Sequence, residues 1–246
     1  MVWHLFLFDA GRFIRWYSLN RFNLSTTSSP TFVGFFVTGI MGKFDIMQSN
    51  KSVNEKIIFE DNFDDKLKED WSWLRENKEY WRIQDNGLEI RVVPGDENTV
   101  KNVLLRPAPD RNDGTFAIEI TVSNYAHPIQ PYEQAGITWY NDGKPVAKLV
   151  KELIYPPNVP HERGGNIFIF PGDISIQQEK VRLRLVVSAH LWEAQYHFEN
   201  RIEFLTAATG EMPTPNNDHV SIQCFNGPQN VEHWIRFENF QIKYIY

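Results

Sequence analysis

Glu133 and Glu152 stand near the start and at the end of the segment YEQAGITWYNDGKPVAKLVKE, residues 132–152. Paired carboxylates are the machinery of glycoside hydrolysis, which sets them about 5–5.5 Å apart for retention or about 6.5–9.5 Å apart for inversion. Asn141-Asp142-Gly143 lies between two runs of alternating apolar residues. That is a hairpin signal, because Asn and Gly accept positive φ at little steric cost. The hairpin would bring the two glutamates toward each other, but their parities against the neighbouring apolar residues differ. The chain therefore reads as a protein that is not an enzyme, with glycoside hydrolysis kept as an alternative.

Binding is the sharper chemistry. Gln134, Tyr140, Lys148 and Glu152 sit on the hairpin, Arg184 in VRLRLVV, Gln195 in LWEAQYHF and Gln223 in SIQCF. Strand side chains alternate between faces. Leu183, Leu185 and Val187 oppose Arg182 and Arg184. Trp192, Ala194 and Tyr196 oppose Gln195, and Ile222 and Cys224 oppose Gln223. Gathered on one face, with Trp73, Trp139 or Tyr140 to stack on a ring, these groups would hydrogen-bond a carbohydrate or another polar small ligand. The competing reading is a Lys–Glu and Arg–Glu network that merely satisfies a half-buried sheet surface.

The elements that must position these residues are strands. They are expected at Lys56–Phe59, Tyr80–Gln84, Leu88–Val92, Val103–Arg106, Thr115–Ser123, Glu133–Tyr140 and Val146–Ile154. Further strands are expected at Asn166–Phe170, Val181–Ser188, Leu191–Phe198, Ile202–Thr206, Val220–Phe225 and His233–Tyr244. Asp85-Asn86-Gly87, Asn112-Asp113-Gly114 and Pro171-Gly172-Asp173 punctuate them, a pattern that indicates an all-β sandwich or barrel. One helical turn is expected, at Asp64–Trp73. Residues 1–56 differ in composition, with the run LSTTSSPT and two short apolar patches. They are expected to be a disordered extension or a start called too early, and residues 57–246 one sandwich domain.

Composition removes several classes. A net charge of −6 and no basic run exclude a nucleic-acid backbone groove and a surface held on anionic lipid. Neither apolar patch approaches the roughly 20 residues that cross a bilayer. Cys224 is the single cysteine, so there is no intramolecular disulfide and no multi-cysteine zinc site; a buried, inert thiol is expected. The seven histidines show no His-Glu-x-x-His spacing, and no phosphate loop or Gly-x-Ser-x-Gly elbow occurs. No cofactor is expected. The missing disulfides, and an apolar patch that starts at Val2 with no positive residue before it, give a cytoplasmic location as the expectation.

The stretches FEDNF, DWSWLRE, YEQAGITWY with KLVKE, VRLRLVV, SIQCFNGP and HWIRFENFQI occur in an order that resembles the DUF1349 family of concanavalin A-like jelly rolls. They also resemble the sandwich domain behind the propeller of some β-xylosidases. The resemblance covers roughly residues 57–246. It implies two curved antiparallel sheets with a concave face, and little about activity. Related glucanases carry a Glu-x-Asp-x-(x)-Glu strand, and no Glu-x-Asp occurs in this chain. Relatives often hold a structural calcium ion near the first and last strands, where this chain has Asp61 and Glu238. The proline-rich YPPNVPHERGGN departs from the family pattern. The leading expectation is a non-catalytic binding domain for a carbohydrate or polar ligand on the concave face. A regulatory module of the regulator-of-enolase type, acting on a protein partner, is the alternative.

Overall fold

The structure, a computed structural model, describes residues 54–155, 165–199 and 203–246. The expected extension, apart from residues 54–56, and most of YPPNVPHERGGN lie outside the described residues. Strands β1–β5 run Glu55–Asp61, Ser72–Leu74, Trp81–Ile83, Leu88–Val92 and Val103–Pro107. Strands β6–β10 run Thr115–Asn124, Gln134–Asn141, Lys144–Ile154, Asn166–Phe170 and Ile174–Ile176. Strands β11–β15 run Lys180–Val187, Leu191–His197, Leu205–Glu211, His219–Phe225 and His233–Ile245.

Two antiparallel sheets form a concanavalin A-like jelly roll. The eight-stranded sheet has the order β13-β12-β11-β6-β15-β4-β3, with β1 also paired to β15. The seven-stranded sheet has the order β10-β9-β8-β7-β14-β5-β2. Hydrophobic alternation explains how they meet. Ile118, Ile120 and Val122 of β6 and Leu183 and Leu185 of β11 face Ala135, Ile137 and Trp139 of β7 and Ile222 of β14 in one core. Burying each such side chain contributes about 1.5–3 kcal/mol. The edge strands β2, β3 and β10 have three residues each, which offers little edge for pairing with another chain, whereas β13, at the other edge of the eight-stranded sheet, has seven.

The hairpin forms as its turn chemistry demands. Asp142 and Gly143 have φ of 50° and 74°, the positive pair that a two-residue turn between right-twisted strands requires. Three positions of the YEQAG run have a physical reason in the fold. Glu133 is buried and accepts from the Ile129 and Gln130 amides at 3.1 and 3.3 Å, closing the loop that enters β7. Ala135 faces the core. Gly136 lies so close to β8 that a Cβ would stand 2.2 Å from the Leu149 carbonyl oxygen. Backbone cannot yield there, so Gly136→Ala is expected to cost about 3 kcal/mol, read as a lowered urea midpoint with an unchanged m-value.

The expected helical turn at Asp64–Trp73 does not form. Asp61 Oδ1 accepts from the Phe63 amide (2.9 Å), and Oδ2 from the Lys68 amide and Trp71 Nε1 (3.0 and 2.9 Å). These bonds hold the segment as a loop, and Phe63 and Asp70 take positive φ. The strand expected at Ile202–Thr206 lies three residues further on, as β13. Its Ala-, Thr- and Gly-rich sequence has little strand propensity of its own. It is held by pairing with β12, where Gly210 admits the Trp192 ring.

Candidate functional site

The outer face of the seven-stranded sheet is polar along its centre. Register sets Gln134 opposite Glu152, Thr138 opposite Lys148 and Ser221 opposite Thr138, with Gln223 opposite Gly136. Lys148 reaches diagonally along the row to Gln134. Its Nζ donates to Gln134 Oε1 at 2.8 Å, and Gln134 Nε2 donates to Glu152 Oε1 at 3.3 Å. A second chain runs beside the first. Tyr140 donates its hydroxyl to Gln223 Oε1 at 3.0 Å, and Gln223 Nε2 donates to Thr138 Oγ1 at 2.9 Å. Burial pushes the Tyr140 phenol above its ordinary value, so it stays a donor across the physiological range.

The centre of this face is closed. Gln134, Thr138, Glu152, Ser221 and Gln223 are each at most 5% exposed. It opens toward β9 and β10. Phe168 is paired with Glu152, and Phe170 with Val150, so both rings stand on the polar face while Ile167 and Ile169 enter the core. Both rings are half-buried, as is Lys148, and Asn166 and Ser175 beside them are exposed. Lys148 Nζ lies 4.6 Å from the centre of the Phe170 ring. A cation at that distance is attracted to the ring's negative face. The accessible platform is two aromatic rings with an ammonium, backed by the Gln134–Glu152 pair.

Five of the eight residues expected at the site, Gln134, Tyr140, Lys148, Glu152 and Gln223, share this face. Three do not. Trp73 turns inward and packs on Trp81, with ring centres 4.7 Å apart, because β2 pairs with β5 in the register that sets Trp73 beside core Leu104. Trp139, the other ring considered for stacking, is fully buried in the core. Arg184 and Gln195 lie on the opposite side of the molecule, since β11 and β12 belong to the eight-stranded sheet. There Arg184 joins an ion network. Glu119, 1% exposed, accepts from Arg184 NH1 at 3.1 Å, Arg182 NH2 at 2.7 Å and Lys243 Nζ at 2.9 Å. Arg184 NH2 also reaches Glu55 at 2.5 Å. Burial works against the Glu55 charge, yet the Arg184 hydrogen bond and the Arg184 and Lys243 charges hold its carboxyl below the ordinary value.

The two glutamates considered for hydrolysis are engaged on different faces of the hairpin. Glu133 Oε1 meets His233 Nδ1 at 2.8 Å on the core side of β7, whereas Glu152 is on the outer side. Asp61 and Glu238, considered for calcium, are committed to protein donors. Glu238 pairs with Arg236 and Lys180 at 3.1 and 3.2 Å. Among the described residues no group of three or more His, Cys, Asp or Glu is arranged to hold a metal ion, and no helix is long and apolar enough to cross a membrane. Cys224 is buried, and burial raises its thiol well above the ordinary value, as expected of an inert core residue.

Phe168 and Phe170 were not legible as site residues. The alternation of NIFIF shows that the two rings share a face. Only the β8–β9 register shows that the face is the polar one.

No family model matches the chain, and no curated protein matches it. Solved structures do. The GH43 protein BlXynB from Bacillus licheniformis is 18% identical over 76% of this chain, with a TM-score of 0.57. A xylan β-1,4-xylosidase from Bacillus halodurans is 14% identical over 75% of this chain, with a TM-score of 0.58. The chain spans 39% and 38% of those two proteins. A functionally unknown protein from Saccharomyces cerevisiae is 11% identical over 70% of this chain and 95% of its own, with a TM-score of 0.44. The likeness to the two Bacillus proteins is one of fold.

Proposed function

We propose that this chain is a non-catalytic binding module of the DUF1349 type that holds a carbohydrate across β8 and β9. The observation that carries the reading is the placement of Phe168 and Phe170 on the same face as the Lys148–Gln134–Glu152 chain. A sugar ring has an apolar face of C–H groups and a rim of hydroxyls. Two aromatic rings serve the first, and an ammonium with an amide behind it serves the second. Glu133 is engaged by His233 and Glu152 by Gln134, on different faces of the hairpin, which supports binding without bond cleavage.

Titration calorimetry with neutral xylo-, cello- and manno-tetraose tests this. Phe170→Ala is expected to weaken the bound sugar by about tenfold, or roughly 1.4 kcal/mol, and to leave the melting temperature within a few degrees. An affinity unchanged in Phe168→Ala and Phe170→Ala alike would remove the β9 platform.

A further inference from the structure

At one end of the sandwich lies a groove of about 360 Å³ between the β5–β6 and β13–β14 loops. That is within the range of roughly 300–1,000 Å³ that small-molecule sites occupy. Its apolar lining comes from half-buried Ala108, Pro109 and Pro215 and from Pro107, which is exposed. Its rim is polar, with Asp110, Asn112, Asn216, Asn217 and His219. We propose that this groove is a second binding site, distinct from the sheet face, for a neutral hydroxyl-rich ligand such as the end of a sugar chain.

The chemistry of the rim selects the ligand class. Asp110 Oδ1 accepts from the amide and side chain of Asn112 at 2.9 and 3.0 Å, leaving Oδ2 as an acceptor. His219 Nδ1 lies 3.0 Å from the Asn217 carbonyl oxygen. A carbonyl only accepts, so Nδ1 carries the proton, and in the neutral ring Nε2 is then a second acceptor. The asparagine side chains add amide donors. A hydroxyl both donates and accepts, so it satisfies such a mixed rim, whereas a group that only accepts does not.

Anions and metal ions fit poorly. No Lys or Arg lines the groove, and Arg111 of the β5–β6 loop is buried and donates to Asp218 and to the Ser188, Ala189 and Pro213 carbonyls. Asp218 accepts from Arg111 Nε at Oδ2 (2.7 Å) and from Asn141 Nδ2 at Oδ1 (2.8 Å). One remaining carboxylate oxygen on Asp110 is far short of the six to eight oxygens that calcium takes.

The walls are also set in advance. Ala108 donates its amide to the Asp218 carbonyl at 3.0 Å, and Asp142 its amide to the Asn216 carbonyl at 2.9 Å. Preorganised loops lower the ordering cost of binding.

The test is calorimetry on the full 246-residue chain, with the neutral tetraoses above as probes and tri-galacturonate as the anionic arm. Asp110 and Asn216 are exposed, so D110N/N216A is expected to keep the wild-type melting temperature. For a tetraose that binds, the wild type is expected to show two sites, and the double variant to lose one or weaken it about tenfold or more. An isotherm unchanged in the double variant overturns the groove, as does tighter binding of tri-galacturonate than of every neutral probe. If F168A/F170A abolishes all binding, the sheet face stands alone and the groove falls. If F168A/F170A changes nothing while D110N/N216A abolishes binding, the groove stands and the sheet reading falls. Silence from every probe overturns both.

Discussion

Arg111→Ala is expected to destabilise the protein by roughly 3–5 kcal/mol, the range seen when one partner of a buried ion pair is removed. Arg111 is 1% exposed. Its Nε donates to Asp218 at 2.7 Å, NH1 to the Ser188 and Ala189 carbonyls at 3.0 and 2.6 Å, and NH2 to the Pro213 carbonyl at 2.9 Å. One planar cation thereby ties the β5–β6, β11–β12 and β13–β14 connections together. Truncation leaves a largely buried carboxylate and three carbonyls without their donor. Arg111→Lys is expected to recover little, because a single ammonium cannot reproduce a fork that serves four acceptors in fixed directions. For a domain of this size the loss corresponds to a melting point lower by roughly 10 °C. Differential scanning fluorimetry checks it; a shift of only a degree or two in Arg111→Ala would show that the loops are held by other contacts.

Lys151→Met is expected to abolish a rise in stability between neutral and alkaline pH. Register places Lys151 opposite Ala135, on the core side of β8, where it is 3% exposed. Its Nζ donates to the Glu179 carbonyl. Burial lowers its pKa from 10.5 to about 7, partly opposed by the nearby Glu179 charge. The sign follows from proton counting. Between about pH 7 and 10.5 the unfolded chain binds a proton at this lysine and the folded chain does not, so stability increases with pH. Below pH 7 both states are protonated, and the cost of the buried ammonium is present in full. The wild type is expected to gain roughly 2–4 kcal/mol more than Lys151→Met between pH 7 and pH 10. Urea unfolding of both proteins at the two pH values measures the difference, in which the titrations they share cancel. Parallel pH profiles would show that Lys151 keeps its charge in the fold.

These two residues mark the limit of what the chain discloses by itself. Inside and outside were legible strand by strand. The alternation of VRLRLVV, LWEAQYHF and SIQCF assigns Leu183, Ala194 and Ile222 to the core, and they are there. A sandwich, however, has two outsides. Nothing in the alternation of β11 and β12 says that they join β6 rather than β8, so Arg184 and Gln195 were grouped with a face they do not share. Sheet membership is decided by long-range pairing, and the same gap hid Phe168 and Phe170. Lys151 was concealed differently. In KLVKE the register sets Lys148 and Glu152 outward and Lys151 inward, and a lysine on the core side contradicts the rule by which faces are read. Arg111 sits in PAPDRNDGTF, whose Pro, Asp, Asn and Gly announce a turn but not that the turn closes over a buried guanidinium. The Asn-Asp-Gly hairpin was legible in full because its cause is local: two positive φ values and the residues that tolerate them.

The most direct test of the central claim is to titrate the isotope-labelled chain with the tetraose that binds best and follow the backbone amides and aromatic side chains by NMR. Saturable shifts are predicted at Lys148, Asn166, Phe168, Phe170 and Ser175, with intermolecular contacts from the Phe168 and Phe170 rings to sugar C–H groups. Shifts confined to Arg182, Arg184 and Gln195 on the opposite sheet, or no saturable shift on β8 and β9, would contradict it.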